Sequence, residues 1–307
     1  MGNIFYFAWE PQLTEWLQAH LPSFAAGLFS VLTLFGEEMA LVLLLGFLYW
    51  VYDKEFGLFV GTNMMATLTW NPMIKNLVLR PRPYMVHEGV ACLKPVDASA
   101  DIMDLSAQGY SFPSGHSANS VTAYGSLAVY TKKRWLIIAA AAVALAVGLS
   151  RVVLGVHYPT DVLAGWVLGL IVIFLVSFLQ RRIRNRKIVY LILILLAVPG
   201  MFYCQSTDYY TSFGMMIGLF AGNLFEERFV RFENTRKVIP AILRLAVGVG
   251  LFFGLNTVLK LPFDKAFLES AATGAYLVRT ARYAVVVFLL MGVYPLCFRI
   301  GKKKEKD

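Results

Sequence analysis

Charge is scarce in this chain: only 15% of its 307 residues are Asp, Glu, Lys or Arg, where a soluble domain carries about 25%. Hydrophobic residues reach 58% and the mean hydropathy is +0.62. A soluble globular domain is therefore excluded. Cysteine is scarce as well, and Cys92, Cys204 and Cys297 lie too far apart for a metal-ligand pattern or a disulfide scaffold. A basic leader is missing from the start of the chain, where the first Lys or Arg is Lys54 and Glu10 and Glu15 precede the apolar stretch beginning near Phe24. A cleavable signal needs such a leader, so this segment is expected to stay in the mature protein. There is no internal repeat, no Gly/Ser linker and no low-complexity tract beyond a short lysine-rich tail.

Long apolar blocks take the place of these features. They fall at about 38–52, 56–79, 117–131, 135–150, 160–179, 188–204, 210–225, 238–259 and 276–298, which predicts an all-α polytopic membrane bundle of about nine spans. Some blocks are shorter than the ~20 residues that cross a bilayer core, so their ends are expected to extend or to be buried in protein. Phe24 to Phe35 is too short for a confident tenth span. Trp9, Leu13, Trp16, Leu17 and Leu21 recur near helical spacing, predicting an interfacial amphipathic helix over 10–21 that serves as an anchor rather than a site. The organisation expected is one membrane domain: an interfacial segment 1–36, a core 37–205, further spans over 206–300 and a basic tail 301–307.

The net charge of +9 points to membrane orientation and not to nucleic acid, because the basic residues sit in short loops between apolar blocks. One set of alternate loops, with the tail, holds 18 Lys and Arg against 7 Asp and Glu; the other face holds 9 against 12. The positive-inside rule makes the first set cytoplasmic. The C-terminus is then cytoplasmic, and the other face is extracytoplasmic in a cell-membrane protein.

Three clusters fall where spans meet that outer face: Lys75 with Arg82-Pro83, Pro113-Ser114-Gly115-His116, and Ser150-Arg151 with His157 and Asp161. An ammonium deep in a bilayer costs about 2.5–3.5 kcal/mol, so Lys75 needs a partner or a wet cavity, which a bend at Asn71-Pro72 would open. Arg80 reads as a cation snorkelling to headgroups. The Ser114-Gly115 turn opens a helix whose unsatisfied N–H groups suit an anion, although Pro-Ser-Gly is also a common turn. Pro159 suits the first turn of a helix, so the fifth span is expected to begin at Tyr158 or Pro159, which sets Asp161 one turn from His157, within reach of Nδ1; this is the pattern of an activated base or nucleophile, or of a structural hydrogen bond. Together the clusters match a dianionic phosphate. Only one nearby carboxylate is committed to the centre, so metal-free chemistry without a cofactor is expected.

The stretches Lys75-x6-Arg82-Pro83, Pro113-Ser114-Gly115-His116 and Ser150-Arg151-x5-His157-x3-Asp161 resemble the complete three-part signature of the type 2 phosphatidic acid phosphatase (PAP2) superfamily, eleven positions at matching spacing and order. The resemblance implies a lipid phosphatase in which His157 attacks phosphorus, Asp161 orients it, and His116 protonates the leaving oxygen and later activates water. Lys75, Arg82, Ser114, Gly115 and Arg151 would hold the nonbridging oxygens. It implies a lipid phosphate as substrate: polyprenyl (di)phosphate, phosphatidate, phosphatidylglycerophosphate or sphingoid-base phosphate. A soluble sugar phosphate, transfer to another acceptor, and, from a different class, a transporter are the alternatives. Glu37 and Glu38 are expected to pair with Arg279 and Arg282, the alternative being that Arg279 helps read the substrate; His20 and His87 are expected to be ordinary surface residues, and the acidic loop 84–112 to be solvated. The signature is silent on the last three spans.

Overall fold

The computed structural model describes residues 3–299, and the basic tail over 301–307 lies outside them. Among the described residues the secondary structure is helical throughout, with no strand. Helices run over Trp9–His20 (α1), Ala25–Leu32 (α2), Glu38–Phe47 (α3), Lys54–Val78 (α4), Pro83–Val86 (α5), Leu105–Gln108 (α6), Gly115–Thr131 (α7), Arg134–Val153 (α8), Pro159–Arg182 (α9), Arg186–Ala197 (α10), Thr207–Phe225 (α11), Val238–Val258 (α12), Lys265–Glu269 (α13) and Thr273–Phe288 (α14). Each of the nine apolar blocks thus falls on a helix, several of them prolonged by a 3-10 or π turn.

Fewer of these helices qualify as spans by length and apolarity. Arg134–Val153, Pro159–Arg182, Val238–Val258 and Thr273–Phe298 do, and Ala25–Gly36 with Glu38–Tyr52, bent by 45°, makes a fifth if counted as one. The others are shorter or more polar for a visible reason. Helix α4 carries Thr62, Asn63, Thr67, Thr69 and Asn71, all buried, so its polar groups face protein and not lipid. It also continues through Pro72 to Val78. The apolar helices show the reverse of a soluble pattern: Ile138 on α8, Phe174 on α9 and Ile239 on α12 are each 72% exposed. That is a hydrocarbon-facing surface.

The chain divides into two compact units. One contains Met1–Leu41 and Trp70–Phe178, the other Val42–Thr69 and Leu179–Asp307. In the first, α7 and α9 approach so closely that a Cβ on Gly165 would lie 2.5 Å from the Ser114 carbonyl oxygen, and one on Gly169 would lie 2.9 Å from that of Ala118. Small residues four apart give a membrane helix pair its closest approach. Here that approach sets the start of α7 against the first turns of α9. In the second unit the same device recurs where Gly214, Gly218 and Gly222 of α11 face α14 and the π turn that follows it, and Arg244 of α12 is buried with its guanidinium on the carbonyls of Trp50 and Glu233 at 2.6 and 3.0 Å.

Candidate functional site

The residues of the three clusters all lie in the first unit. Their placement begins with the end of α8. Gly155, at φ +74°, adopts the left-handed conformation that closes a helix, and the Arg151 carbonyl then accepts the N–H groups of Val156 and His157 at 3.2 and 3.3 Å. That turn fixes His157 directly after Arg151 in space. Helix α9 starts at Pro159, which has no N–H to satisfy. The Asp161 carboxylate reaches back to accept the Tyr158 N–H at 2.8 Å, one half of a capping box. Its Oδ2 also lies 3.4 Å from His157 Nδ1.

The His157 ring is 2% exposed. Across it, the Arg82 guanidinium stands 3.3 Å from Nε2. A guanidinium can only donate, so these partners select the tautomer with the proton on Nδ1, toward Asp161, and the lone pair on Nε2. Arg82 also donates from Nε to the carbonyls of Gln108 and Gly109 at 3.0 and 3.1 Å, from Nη2 to Gln108 at 2.7 Å and from Nη1 to Val156 at 2.9 Å. Lys75 Nζ donates to the Tyr110 carbonyl at 2.8 Å, and Arg151 is buried with Nη1 on Thr33 Oγ1 at 2.8 Å.

Ser114 caps α7, its hydroxyl accepting from Ser117 N at 3.4 Å and Ser117 Oγ at 2.9 Å, while its own N–H donates to the Asp161 carbonyl at 2.9 Å. Gly115 and His116 form the first helical positions, whose N–H groups have no partner within the helix. Gly36 packs against this turn so tightly that a Cβ there would lie 2.8 Å from the His116 carbonyl oxygen. Burial holds the His157 pKa well below the ordinary histidine value of 6.5, and the nearby Arg82, Arg151, Lys75 and His116 push it the same way. His157 is therefore neutral at neutral pH.

The sign of the linkage follows. The unfolded chain takes up a proton at His157 near pH 6.5, the buried ring resists it, and folding stability attributable to this group is lost as pH falls below that value. The melting temperature in detergent is expected to drop between pH 7.5 and pH 5.5, and the drop should shrink in His157→Asn. An equal drop in both proteins would show that the ring is not the group responsible.

Several expectations are corrected. Arg80 is not a headgroup cation: it is 1% exposed, donates from Nη1 to Asp161 Oδ1 at 2.7 Å and to Thr160 Oγ1 at 2.8 Å, and from Nη2 to Glu10 Oε2 at 3.2 Å. Helix α1 is more than an anchor. Trp9, Leu13 and Trp16 are exposed as the interfacial reading requires, but Glu10 is fully buried. Glu37 pairs with Lys94 at 3.1 Å, and Arg282 bonds Asn256 at 2.6 Å. His87 is half-buried, with Nε2 3.1 Å from the Tyr158 hydroxyl, whereas His20 is exposed. The loop over 84–112 is organised by the buried Gln108, whose side chain takes the N–H groups of Val96 and Asp97 and donates to the carbonyls of Asp97 and Asp101. Asp97, Asp101 and Asp104 each accept from a backbone N–H two residues on. Among the described residues no three His, Cys, Asp or Glu side chains group as a metal site would require.

The site is a buried imidazole with a carboxylate at Nδ1 and a guanidinium at Nε2, and by class the chain is a helical membrane protein with several apolar helices. Comparison with known proteins gives the particular family. Residues 56–185 match the PAP2 superfamily, and residues 210–305 match the PAP2 superfamily phosphatase transmembrane extension. The chain belongs to the PAP2 superfamily. Among its relatives, phosphatidylglycerophosphatase B of Bacillus subtilis is 41% identical over 85 residues, 25% of this chain and 42% of the relative. An undecaprenyl-diphosphatase of Sulfolobus acidocaldarius is 29% identical over 122 residues, 40% of this chain and 54% of the relative. The chain spans about half the length of these relatives. The crystal structure of a transmembrane PAP2 type phosphatidylglycerolphosphate phosphatase from Bacillus subtilis aligns at a TM-score of 0.46 and 26% identity, covering 56% of this chain and 85% of that one.

Proposed function

We propose that this protein hydrolyses the phosphomonoester or diphosphate of a membrane lipid, without a metal, through a phosphohistidine. The observation that carries the reading is the His157 ring, held between Asp161 at Nδ1 and Arg82 at Nε2. Nε2 attacks phosphorus in line and the bond to the leaving oxygen breaks. His116 gives that oxygen a proton, and the imidazolium formed is balanced by Asp161. Water, deprotonated by His116, then attacks the phosphohistidine, releasing phosphate and restoring the Nε2 lone pair. Lys75, Arg82, Arg151, Ser114 and the Gly115 amide stabilise charge on the nonbridging oxygens, where phosphoryl-transfer catalysis gains most.

A lipid substrate is supported by the relatives, named as phosphatases of phosphatidylglycerophosphate and undecaprenyl diphosphate, and by the exposed aromatic residues of α1 beside the buried Glu10. In this reading the nine helical blocks cross or line the bilayer, the site opens on the extracytoplasmic face of the cell membrane, and the C-terminus is cytoplasmic. The segment 1–36 lies at the interface, 37–205 carries the catalysis and 206–300 adds further spans. A panel of lipid phosphates, lipid diphosphates and sugar phosphates assayed with EDTA tests it. Release from one or more amphiphiles, undiminished by EDTA, is expected; release confined to sugar phosphates, or lost on chelation, would overturn it.

A further inference from the structure

Of the buried charged groups outside the motif, one on α1 is tied to the site. The Glu10 carboxylate, on α1, is fully buried, and two of the residues it binds, Arg80 and Thr160, lie 70 and 150 positions away in sequence. Its Oε1 accepts the Thr160 N–H at 2.9 Å and the Thr160 hydroxyl at 2.6 Å, and its Oε2 accepts from Arg80 Nη2 at 3.2 Å and from the Phe7 N–H at 2.8 Å. Thr160 is the second residue of α9, so Glu10 supplies from another helix the cap that α9 lacks at that N–H. Arg80 lies between Glu10 and Asp161, and its guanidinium is stacked 4.4 Å from the Phe5 ring and 3.8 Å from the Tyr158 ring. The outcome is a chain of alternating charge, Glu10 to Arg80 to Asp161, ending on His157.

Such an arrangement is costly unless complete. A buried ion whose partner is removed costs several kcal/mol, and Arg80 brings one cation to two carboxylates, with Glu10 and Asp161 both fully buried. Arg80 occupies Asp161 Oδ1 and so leaves Oδ2 for His157 Nδ1 and the Tyr158 N–H. It thereby fixes both the rotation of the carboxylate and how much of its charge the imidazole feels. Glu10 in turn offsets the Arg80 charge. Outer partners of this kind commonly change activity by about 10–100-fold when removed.

We infer that Glu10 and Arg80 are positioning residues of the catalytic centre, the N-terminal helix reaching through Arg80 to orient Asp161 and set the basicity of His157. This rests on the proposed role of His157 as nucleophile. The groups that act on the His157 ring are Lys75 on α4, Arg82 ahead of α5, His116 on α7, Arg151 on α8 and Asp161 on α9. His87 faces the Tyr158 hydroxyl. Neither Glu10 nor Arg80 contributes a group to the proposed phosphate cradle.

The test measures kcat/KM against pH for the full chain in detergent, with inorganic phosphate as a competitive probe. Glu10→Gln leaves the Arg80 cation offset by Asp161 alone, which disfavours the imidazolium, so the acidic limb moves to lower pH. Arg80→Met leaves Asp161 uncompensated, which favours the imidazolium, so the limb moves to higher pH. The double variant returns toward the wild-type limb. In each single variant kcat falls about 10–100-fold, while the inhibition constant for inorganic phosphate stays within about threefold. Arg80→Lys, which keeps the charge and loses the fork, lowers kcat without moving the limb, and if Arg80→Met does not fold the shift in Glu10→Gln carries the test alone. A limb that stays put in folded Glu10→Gln would show a purely structural network and overturn the inference, as would one that stays put in folded Arg80→Met. Absence of any His157-dependent release in the wild type would instead remove the underlying function.

Discussion

Alanine in place of His157 is expected to lower kcat/KM for phosphate release by about 10⁴-fold or more, the scale seen when a covalent nucleophile is removed. The loss should appear with the protein still folded. The turn carrying His157 is held by its backbone, through the Arg151 carbonyl and the positive φ of Gly155, and these features do not use the ring. Arg82, Arg151 and Lys75 remain in His157→Ala, so inorganic phosphate should still bind, while no phosphohistidine can form. Detergent melting curves and phosphate inhibition of the residual activity check the first part, and rapid-quench assays for an acid-labile phosphoprotein check the second. Normal turnover in the variant would dispose of the phosphohistidine.

The helices were legible because an apolar run is local information, and each block reappears as helix. The starts of α7 and α9 were legible for the same reason, since Ser114 and Pro159 are capping residues that act within one turn. Which helices bury polar residues was not, because hydropathy does not say whether Thr67 faces lipid or protein. Glu10 is the sharpest case. On α1 it looks like a solvated residue in the first turn of an amphipathic helix, and only the fold reveals that the exposed stripe of Trp9, Leu13 and Trp16 is the apolar side while Glu10 points inward. Arg80 was misread for a related reason. Its partners, Glu10 and Asp161, lie 70 and 81 positions away, and no local pattern encodes a pairing at that distance. Gln108 is silent in the sequence too, since a neutral amide within an acidic loop carries no signal of its role as that loop's hub.

Arg82→Lys should be nearly as damaging as the loss of a donor from an oxyanion hole, about 10²–10³-fold in kcat/KM, although the charge is kept. The guanidinium does two jobs in one plane. Three of its nitrogens hold the carbonyls of Gln108, Gly109 and Val156, which ties the loop over 84–112 to the turn bearing His157, and Nη1 also faces Nε2 of the nucleophile. A lysine ammonium reaches as a point and not as a fork, so it can satisfy one side of this arrangement only by abandoning the other. The carbonyls left behind are buried, and each unpaired polar group costs about 1–3 kcal/mol. The variant is therefore expected to raise the inhibition constant for inorganic phosphate as well as to lower kcat, and to loosen the loop, seen as faster proteolysis between Glu88 and Gly109. This separates Arg82 from Arg80, whose replacement should move the pH limb while sparing the phosphate constant. If Arg82→Lys moved only the limb, the two arginines would have to exchange roles, with the phosphate held by something other than the fork beside His157.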